Sequence, residues 1–297
     1  MPQAMEETKT ALAELLESAR AGTLIPIRLP GQIEAIQTLL LQTEKEQAEA
    51  IAELKNAPGG DVGALALENA EFLRTAIHEL RTPMTSIRGY TDMLNNEGMA
   101  GSLTDMQKQL LSVVRVNARR MEGLLTDLSY LNKLRGGLLK PTKTMDLFKN
   151  IVLRLEQATR PLAEELRRQV EFDIPSGLPL LNTDGELLAL ALVKLVENGL
   201  RYSPEGTGKV TVRGSRQGEN TLAVTIADNG CGMTEAEIAA LGTLFFRSEN
   251  EVVRAHRGSG LGIPIAYGLI ALLGGRHAVT SAPGQGTTFT VVLGGIT

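Results

Sequence analysis

The sequence predicts an α+β protein of two domains, a helical hairpin followed by an α/β sandwich. An apolar seam with alternating four- and three-residue spacings runs through two helical stretches between residues 66 and 131. Alternating strand patterns around short turns follow after residue 205. A length of 297 residues suits two domains. Because a lone hairpin leaves apolar surface in water, we predict that two copies pair into a four-helix bundle.

The composition limits the classes of function and compartment. Lys and Arg number 30 against 34 Asp and Glu, a net charge of −4, which argues against general affinity for nucleic acid or acidic membranes. The single cysteine, Cys231, excludes an intramolecular disulfide and indicates a reducing compartment. The longest apolar stretch, 263–273, is too short to span a bilayer. We therefore expect a cytoplasmic chain, either whole or the cytosolic part of a longer membrane protein.

Residues 1–60 predict a helical relay or linker region. Two stretches, 5–21 and 32–56, place apolar side chains near one face, and the extended connector TLIPIRLPG joins them. This order resembles a HAMP-type signal relay, and a plain helical linker or an unrelated coiled coil is the alternative. The stretch PGGDVG at 58–63 breaks the second helix, whereas such relays run on continuously.

The hairpin domain is predicted over residues 62–136. Ser102 and Thr104 offer two capping-box starts for its second helix, and Arg135-Gly136-Gly137 is the predicted hinge after it. The first seam consists of Ala66, Ala70, Leu73, Ile77, Leu80, Met84, Ile87, Thr91 and Leu94. The second consists of Leu103, Gln107, Leu110, Val114, Asn117, Met121, Leu124, Leu128 and Leu131.

The sandwich domain is predicted over residues 140–297. Helical patterns occupy about 145–169 and 184–202. Strand alternation appears in KVTVRG and TLAVTIAD around the turn QGEN, and in HAVTS and TTFTVVL around the turn PGQG. Mixed helices and hairpins of this kind indicate one sheet covered by helices.

The stretch IHELRTP carries the first candidate site. Ile77 and Leu80 lie on the seam, so His78 lies at its edge with its imidazole toward solvent. Pro83 has no N–H and crowds the carbonyl of Glu79, so the helix should kink just past the histidine. Glu79 can hold the proton of one ring nitrogen while the other attacks an electrophile. The alternative is a surface histidine beside a structural kink.

This region resembles the sensor histidine kinases of two-component signalling. The stretch FLRTAIHELRTPMTSIRGYTDML is similar to that family's phosphoacceptor box nearly throughout, with Ile77 in place of the usual small or polar residue. The resemblance implies that His78 accepts phosphate, that Glu79 is the general base, and that Thr82 helps to position water when the kinase dephosphorylates its partner. It covers roughly residues 64–297 and implies a GHKL-type ATP-binding domain after the hairpin.

The predicted helix that begins near Asp184 contains VKLVENGLRYSP. Lys194, Asn198 and Arg201 line one polar flank at spacings of four and three. Alone this is an ordinary amphipathic helix, although an amide oxygen can join a magnesium shell and an arginine can pair with phosphate. The stretch resembles the kinase N box, which implies that Asn198 binds magnesium and that Arg201 and Tyr202 contact phosphate.

Lys194 departs from the family pattern. Four residues before the matching asparagine, many of these kinases carry another asparagine, and related gyrase- and chaperone-type ATPases carry a catalytic glutamate. A charged lysine is a poor magnesium ligand. We therefore expect hydrolysis of the gyrase type to lack its base, and magnesium binding to be weaker or partly replaced by a lysine–phosphate contact.

The stretch IADNGCGM, at the end of a predicted strand, suits a flat ring. Asp228 can accept a hydrogen bond from an exocyclic amine, and Gly230 and Gly232 let the backbone approach the ring. The stretch resembles the kinase G1 box, which implies that Asp228 reads the adenine amino group and that these glycines and Met233 border the nucleotide. Cys231 as a nucleophile is disfavoured, because no nearby sequence supplies its base.

A glycine-rich segment, LFFRSENEVVRAHRGSGLGIPIAYGLI, follows. Glycines at a helix start expose N–H groups to phosphates, and neither a P-loop nor a Rossmann fingerprint fits. The order resembles the kinase F box and G2 box, with residues 234–257 as the ATP lid, and Thr234 with Glu237 predicts a capping box at the start of that lid. The residues implied at the nucleotide are Gly258, Gly260, Leu261 and Gly262, with Thr288 of the last glycine box, GQGTTF.

Together these stretches imply a homodimeric, ATP-dependent protein-histidine kinase. Magnesium held by Asn198 would bridge the phosphates, and the terminal phosphoryl group would pass to His78. A response regulator would then take the phosphate on an aspartate. Two alternatives stay open: a kinase-poor, phosphatase-biased regulator of the same pathway, motivated by Lys194, and a nucleotide-binding dimeric scaffold that signals by conformation alone.

Overall fold

The structure of the chain is a computed structural model. It describes residues 10, 77, 78, 81, 84–96, 98, 101–218, 220–256 and 258–296. The chain divides into two compact units, Met1–Leu138 and Leu139–Thr297. The relay predicted for residues 1–60 lies outside the described residues except for the helical Thr10, as do Glu79, Thr82 and the kink predicted at Pro83. Among the described residues, no helix has both the length and the apolar character needed to cross a bilayer.

The first unit contains a helical hairpin. Residues 77, 78, 81 and 84–94 are helical, and helix α1 spans Asp105–Arg135. Nη1 of Arg88 donates a hydrogen bond to Oε2 of Glu122 at 2.8 Å, which links the two helical stretches. Of the two predicted capping boxes, Thr104 with Gln107 is the one that forms, because the hydroxyl of Thr104 accepts from the Gln107 N–H and the Gln107 amide oxygen accepts from the Thr104 N–H.

The two predicted seams are buried to different degrees in the single hairpin. Ile77, Met84 and Thr91, which are seven residues apart, are only 4%, 1% and 4% exposed. The buried residues of α1 are Ala118, Met121, Leu125 and Asn132. Asn117, Leu124 and Leu131, the seam positions predicted one residue earlier, are half-buried. A seam residue of a four-helix bundle faces the bundle axis as well as its own hairpin, so one hairpin covers only one side of it.

Large apolar side chains stay exposed near the loop of this hairpin. They are Tyr90, Met93 and Leu94 on the first helical stretch and Met106, Leu110, Val113 and Val116 on α1, between 45% and 73% exposed. On α1, Met106, Leu110 and Val113 follow each other at spacings of four and three, so they form one stripe. The single chain therefore presents an apolar helix face to its surroundings.

The second unit is built on a seven-stranded sheet. Its path is β1-β3-β7-β5-β4-β2, and β6 also pairs with β7. All of these pairs are antiparallel except β2 with β4. The strands are β1 Thr144–Leu147, β2 Gln169–Asp173, β3 Leu180–Thr183, β4 Lys209–Arg216, β5 Thr221–Asp228, β6 Arg276–Ser281 and β7 Thr287–Ile296. The predicted hairpins β4–β5 and β6–β7 are confirmed.

Five helices accompany the sheet among the described residues of this unit. They are α2 Phe148–Glu165, α3 Gly185–Tyr202, α4 Glu235–Ala240, α5 Glu251–Ala255 and α6 Gly262–Leu272. The side chain of Asp184 caps α3 by accepting hydrogen bonds from the N–H groups of Glu186 and Leu187. Helix α3 packs against α2, α6, β4 and β5, and its Leu188, Leu192, Leu195 and Leu200 have no exposed surface. The predicted α+β class, with a helical hairpin before an α/β sandwich, is confirmed.

The central position of α3 predicts a large stability loss for Leu192→Ala. Deletion of a fully buried leucine side chain costs about 2–5 kcal/mol, because transfer free energy is lost and a cavity remains. Urea denaturation followed by far-ultraviolet circular dichroism measures the loss. Leu153→Ala on α2 is the matched control, since that leucine is 49% exposed and its truncation is expected to cost about 0.5 kcal/mol or less. Equal losses in the two variants would contradict this account of the core.

Candidate functional site

A half-buried carboxylate marks the carboxyl end of β5. Oδ1 of Asp228 accepts hydrogen bonds from the N–H of Gly230 at 2.8 Å and from the N–H of Thr287 at 3.1 Å. Burial raises the pKa of Asp228 to about 6, although these two bonds act in the opposite direction. Both backbone bonds use Oδ1, and Oδ2 lies beside Gly199 of α3. Asp228 is thus a fixed acceptor at the end of a strand.

Two glycines allow α3 and the loop after β5 to meet at this carboxylate. A Cβ on Gly199 would lie 3.2 Å from the Cβ of Asp228 and 3.0 Å from a methyl carbon of Val210. A Cβ on Gly230 would lie 2.7 Å from the carbonyl oxygen of Tyr202. The packing of this loop against Tyr202 therefore requires a glycine at position 230.

Two further glycines form the turns around Asp228. Gly232 has a φ of 63° and Gly286 a φ of 75°, both in the left-handed region. A Cβ on Gly232 would overlap the carbonyl oxygen of Ala282, and one on Gly286 would overlap the carbonyl oxygen of Asp228. Gly286 was not among the residues singled out from the sequence, although it belongs to the GQGTTF stretch.

The threonine that reaches Asp228 is Thr287. It lies opposite Asp228 in the β5–β7 ladder and is 7% exposed, and its hydroxyl shares a hydrogen bond of 3.0 Å with that of Ser281. Thr288, the residue singled out from the sequence, comes next on the strand and lies on the opposite face of the sheet. Strand alternation could have found this, because Phe289 must be buried and Thr287 shares its face.

The loop after β5 is held by backbone and hydroxyl contacts. The N–H of Cys231 donates to the Tyr202 carbonyl at 3.2 Å, and the Gly284 N–H donates to the Cys231 carbonyl at 2.7 Å. The Met233 N–H donates to Oγ of Ser281 at 2.9 Å. Burial, and after it the neighbouring carboxylates, raise the pKa of the Cys231 thiol. A raised thiol pKa disfavours a nucleophilic thiolate, as the sequence analysis expected.

The polar flank of α3 borders the same region. Asn198, Arg201 and Tyr202 are half-buried. The Oη of Tyr202 lies 3.7 Å from where a Cβ of Gly258 would be. Burial raises the pKa of Tyr202, and the nearby guanidinium groups of Arg247 and Arg201 oppose that rise. The structure thus brings the predicted Tyr202 and Gly258 together.

The glycine segment before α6 lies against the predicted F box. Gly260 has a φ of 71°, and a Cβ on it would lie 2.6 Å from the backbone carbons of Phe245, which itself has a φ of 60°. Leu261 is fully buried, and its N–H donates to Oγ of Ser259 at 3.2 Å. The side chain of Leu261 therefore anchors the segment in the core, and Gly258, Gly260 and Gly262 around it are half-buried.

The segment between α4 and α6 is folded by its own polar side chains. The predicted capping box of Thr234 and Glu237 is confirmed at the start of α4. The other carboxylate oxygen of Glu237 accepts a hydrogen bond from Ser248, which lowers the pKa of Glu237. These contacts tie α4 to the chain that follows it.

Arg247 stabilises the same segment by hydrogen bonds to backbone carbonyls within it. Its Nη2 donates to the carbonyl of Val253 at 2.7 Å and also to the carbonyl of His256, so the guanidinium binds carbonyls at the end of α5. Arg247 is the last residue of the predicted F box, Phe245-Phe246-Arg247, and the sequence predicts no contact for it. Its partners lie six and nine residues further along, a loop geometry that no periodic pattern indicates.

Two family models match the chain, one for each unit. The His Kinase A (phospho-acceptor) domain matches residues 68–137. The histidine kinase-, DNA gyrase B-, and HSP90-like ATPase matches residues 183–294. Together the two matches cover more than half of the chain, and they define a phosphoacceptor hairpin followed by an ATPase-type nucleotide-binding domain.

Curated relatives agree with these matches. The circadian input-output histidine kinase CikA of Synechococcus elongatus is 27% identical over 94% of this chain and 36% of that protein. The alginate biosynthesis sensor protein KinB of Pseudomonas aeruginosa is 30% identical over 92% of this chain and 42% of that protein. The chain belongs to the sensor histidine kinases of two-component signalling. It spans less than half the length of these relatives.

Solved structures show the same fold. Full-length ShkA in complex with AMPPNP has a TM-score of 0.62 at 23% identity, over 75% of this chain and 45% of that chain. The Acinetobacter baumannii histidine kinase AdeS has a TM-score of 0.51 at 20% identity, over 73% of this chain and 97% of that chain.

The glycine turns predict a difference between two alanine substitutions. Gly232 and Gly284 both have a positive φ, but a Cβ meets the Ala282 carbonyl only at Gly232 and meets nothing within 4 Å at Gly284. Gly284→Ala should cost about 1–2 kcal/mol from backbone strain, and Gly232→Ala should cost more because Ala282 must move. Urea denaturation measures both. A larger loss for Gly284→Ala would refute the packing described for Gly232.

Proposed function

We propose that this chain is an ATP-dependent protein-histidine kinase that phosphorylates its own His78 and transfers the phosphoryl group to an aspartate of a response regulator. The observation that carries the proposal is the joint presence of a phosphoacceptor hairpin and an ATPase-type domain in one chain. His78 is helical and exposed, as a group that must meet both a nucleotide and a partner protein has to be.

The adenine is proposed to bind at Asp228. Oδ1 is held by two backbone N–H groups, so Oδ2, beside Gly199, is the oxygen available to accept from an exocyclic amine. A hydrogen bond formed at this half-buried position is less weakened by solvent than one on the open surface. Gly230, Gly232 and Met233 are proposed to border the ring. The AMPPNP bound by the structural neighbour ShkA supports an adenine nucleotide as the ligand class.

The phosphates are proposed to lie between α3 and the start of α6. Arg201 and Tyr202 supply a guanidinium and a hydroxyl, and the backbone of Gly258, Gly260 and Gly262 supplies N–H groups near a helix N-terminus. Leu261 fixes that backbone through its buried side chain. The placement of Thr288 next to the nucleotide stays a prediction. Thr287 is proposed to act indirectly, because its N–H donates a hydrogen bond to Asp228.

The donor chemistry of the site fits Mg2+ as the companion of the nucleotide. Asn198 offers one amide oxygen, and the described residues contain no group of three or more His, Cys, Asp or Glu side chains that could hold a metal ion. Such a site suits an ion whose other ligands are phosphate oxygens and water. Bound there, Mg2+ would supply positive charge to the phosphate oxygens.

His78 is proposed to attack the terminal phosphorus of ATP. A ring nitrogen bonds to that phosphorus while the bond to the bridging oxygen breaks, and ADP leaves with that oxygen. Glu79 is proposed to take the proton of the other ring nitrogen, which keeps the attacking nitrogen electron-rich. Thr82 is proposed to position water for dephosphorylation of the partner.

The exposed stripe of the hairpin supports a homodimer. Met106, Leu110 and Val113 would be covered if a second hairpin completed a four-helix bundle. The response regulator is the proposed second partner. The relay interpretation of residues 1–60 and the compartment indicated by Cys231 stay predictions.

A phosphatase-biased regulator is the second candidate function, and Lys194 in the N box is the observation that favours it.

Phosphorylation predicts label that depends on His78. The purified chain incubated with γ-labelled ATP and Mg2+ should gain label that survives base and is lost in acid, and His78→Gln should abolish it because the nucleophilic nitrogen is removed. His277→Gln is the matched control and should keep the label. Label that persists in His78→Gln would place the phosphate elsewhere. ATP binding without any label would favour the scaffold alternative.

The raised pKa of Asp228 predicts a pH dependence of adenosine binding. Below about pH 6 the carboxyl becomes protonated, and a protonated Oδ2 no longer accepts from the adenine amine. Adenosine affinity, measured by calorimetry, should therefore be roughly constant above pH 7 and about tenfold weaker at pH 5. Adenosine carries no phosphate whose titration could contribute.

Asp228→Asn provides the control for this pH profile. The variant should bind adenosine more weakly at pH 7, because an amide presents a donor as well as an acceptor, and its affinity should not change between pH 7 and pH 5. If Asp228→Asn still lost about tenfold in adenosine affinity between pH 7 and pH 5, as the parent chain is expected to do, another group would be the one that titrates.

A further inference from the structure

The last turn of α3 contains a carbonyl that its own helix cannot satisfy. If the helix continued, the Leu200 carbonyl would accept a hydrogen bond from residue 204, but that residue is Pro204, which has no N–H. Nη1 of Arg168 donates a hydrogen bond to this carbonyl instead. Arg168 lies in the segment between α2 and β2, so a cationic side chain from outside the helix satisfies its C-terminal end.

The contact is made to the peptide group that carries Arg201. The preceding carbonyl, that of Gly199, has its own donors in the N–H of Ser203 at 3.1 Å and the hydroxyl of Ser203 at 2.7 Å. The carbonyl bound by Arg168 belongs to the peptide group that joins Leu200 to Arg201. Because a peptide group is planar, this bond fixes the plane from which the backbone of Arg201 begins.

The guanidinium of Arg168 is enclosed by protein at this position. Arg168 is only 9% exposed, and its Nε is buried with no hydrogen-bond partner among the described residues. A Cβ on Gly208 would lie 2.8 Å from the Cγ of Arg168. Burial lowers the pKa of Arg168, and the charge of Glu205 opposes that fall. Burial of a cation is costly, so a residue chosen for packing alone would be apolar.

The backbone turn that leads to Arg168 is also strained. The N–H of Arg167 donates to the Glu164 carbonyl at 3.1 Å, and the N–H of Arg168 donates to the Ala163 carbonyl at 2.9 Å. These are the two bonds of a Schellman turn at the end of α2. Arg167 has a φ of 53° at the position where glycine is usual. Such strain persists where the surrounding structure requires it, and it is concentrated at functional sites.

We propose that Arg168 is a positioning residue of the nucleotide site, which fixes the peptide group before Arg201 and thereby the direction of the Arg201 guanidinium toward the phosphates. This inference rests on the proposed function, which assigns Arg201 to phosphate. Leu200 has no exposed surface. Without Arg168 its carbonyl would be left unsatisfied, and the last turn of α3 would have to shift to reach another donor.

The test compares adenosine with ATP and Mg2+ as ligands of the full 297-residue chain, each by calorimetry. Arg168→Met keeps an aliphatic stem and removes the donors. It should leave adenosine affinity within about twofold of the parent chain and weaken ATP binding about tenfold, the size of one charge-assisted contact. Arg168→Lys keeps a charged donor and should bind ATP within about threefold of the parent chain. If Arg168→Met does not fold, Arg168→Gln replaces it with the same expected results.

A double-variant cycle tests whether Arg168 acts through Arg201. Arg201→Met alone should weaken ATP binding about tenfold. The double variant should be hardly weaker than Arg201→Met, because no guanidinium is left for Arg168 to position. A residue that only stabilised the fold would give losses that add, and additive losses would overturn the proposal.

Arg167→Gln is the matched control. Arg167 is exposed and adjacent to Arg168, so its replacement removes the same charge without touching the Leu200 carbonyl. Neither affinity should change. Equal weakening of ATP binding by Arg167→Gln and Arg168→Met would overturn the contact and indicate a general effect of net charge.

The outcomes separate this inference from the proposed function. Equal weakening of adenosine and ATP by Arg168→Met would reveal a general loss of structure and overturn the positioning role. Unaltered ATP binding in that variant would overturn it as well and leave the nucleotide site intact. Unaltered ATP binding in Arg201→Met would overturn the assignment of Arg201 to phosphate. A parent chain that binds neither ligand would overturn the nucleotide site, and this inference with it.

Discussion

The half-buried carboxylate of Asp228 is the constraint on which the site depends. A charge out of water is costly unless hydrogen bonds compensate for it, and the N–H groups of Gly230 and Thr287 supply that compensation through one oxygen. The partial compensation leaves the pKa raised, to about 6. To bring both donors to one atom, the loop after β5 and the turn before β7 must meet at the end of β5. Gly286 makes this possible, because any side chain there would overlap the Asp228 backbone.

Helix α3 connects this constraint to the core of the second unit. Its apolar side packs into the sandwich without exposed surface, and its other flank carries Lys194, Asn198 and Arg201. Gly199 sets how closely the helix approaches Asp228, since a Cβ there would lie 3.2 Å from the Cβ of that residue. Core packing and site geometry are therefore properties of one helix, and a cavity under α3 would displace the polar flank as well.

Periodic features of the fold could be predicted from the sequence. The hairpins β4–β5 and β6–β7 and the capping boxes at Thr104 and Thr234 depend on neighbours a few residues apart, which a pattern records directly. Features that depend on backbone far away in the sequence could not be predicted in this way. The clearance at Gly199 depends on a strand almost thirty residues away. In α1, three buried residues lie one position after the predicted seam. This difference likewise depends on which surfaces a second helix covers.

The proposed nucleotide site has a direction along α3. Gly199 marks the level of Asp228, and Lys194 marks the level of Gly262 at the start of α6. Five residues of helix separate them, about 7.5 Å along the axis. An acceptor at one level suits the amine of a base, and the helix N-terminus at the other suits phosphate. In the proposed site, a nucleotide bound the other way round would place its phosphates against the Asp228 carboxylate, and this repulsion favours the proposed orientation, with the phosphates at the start of α6.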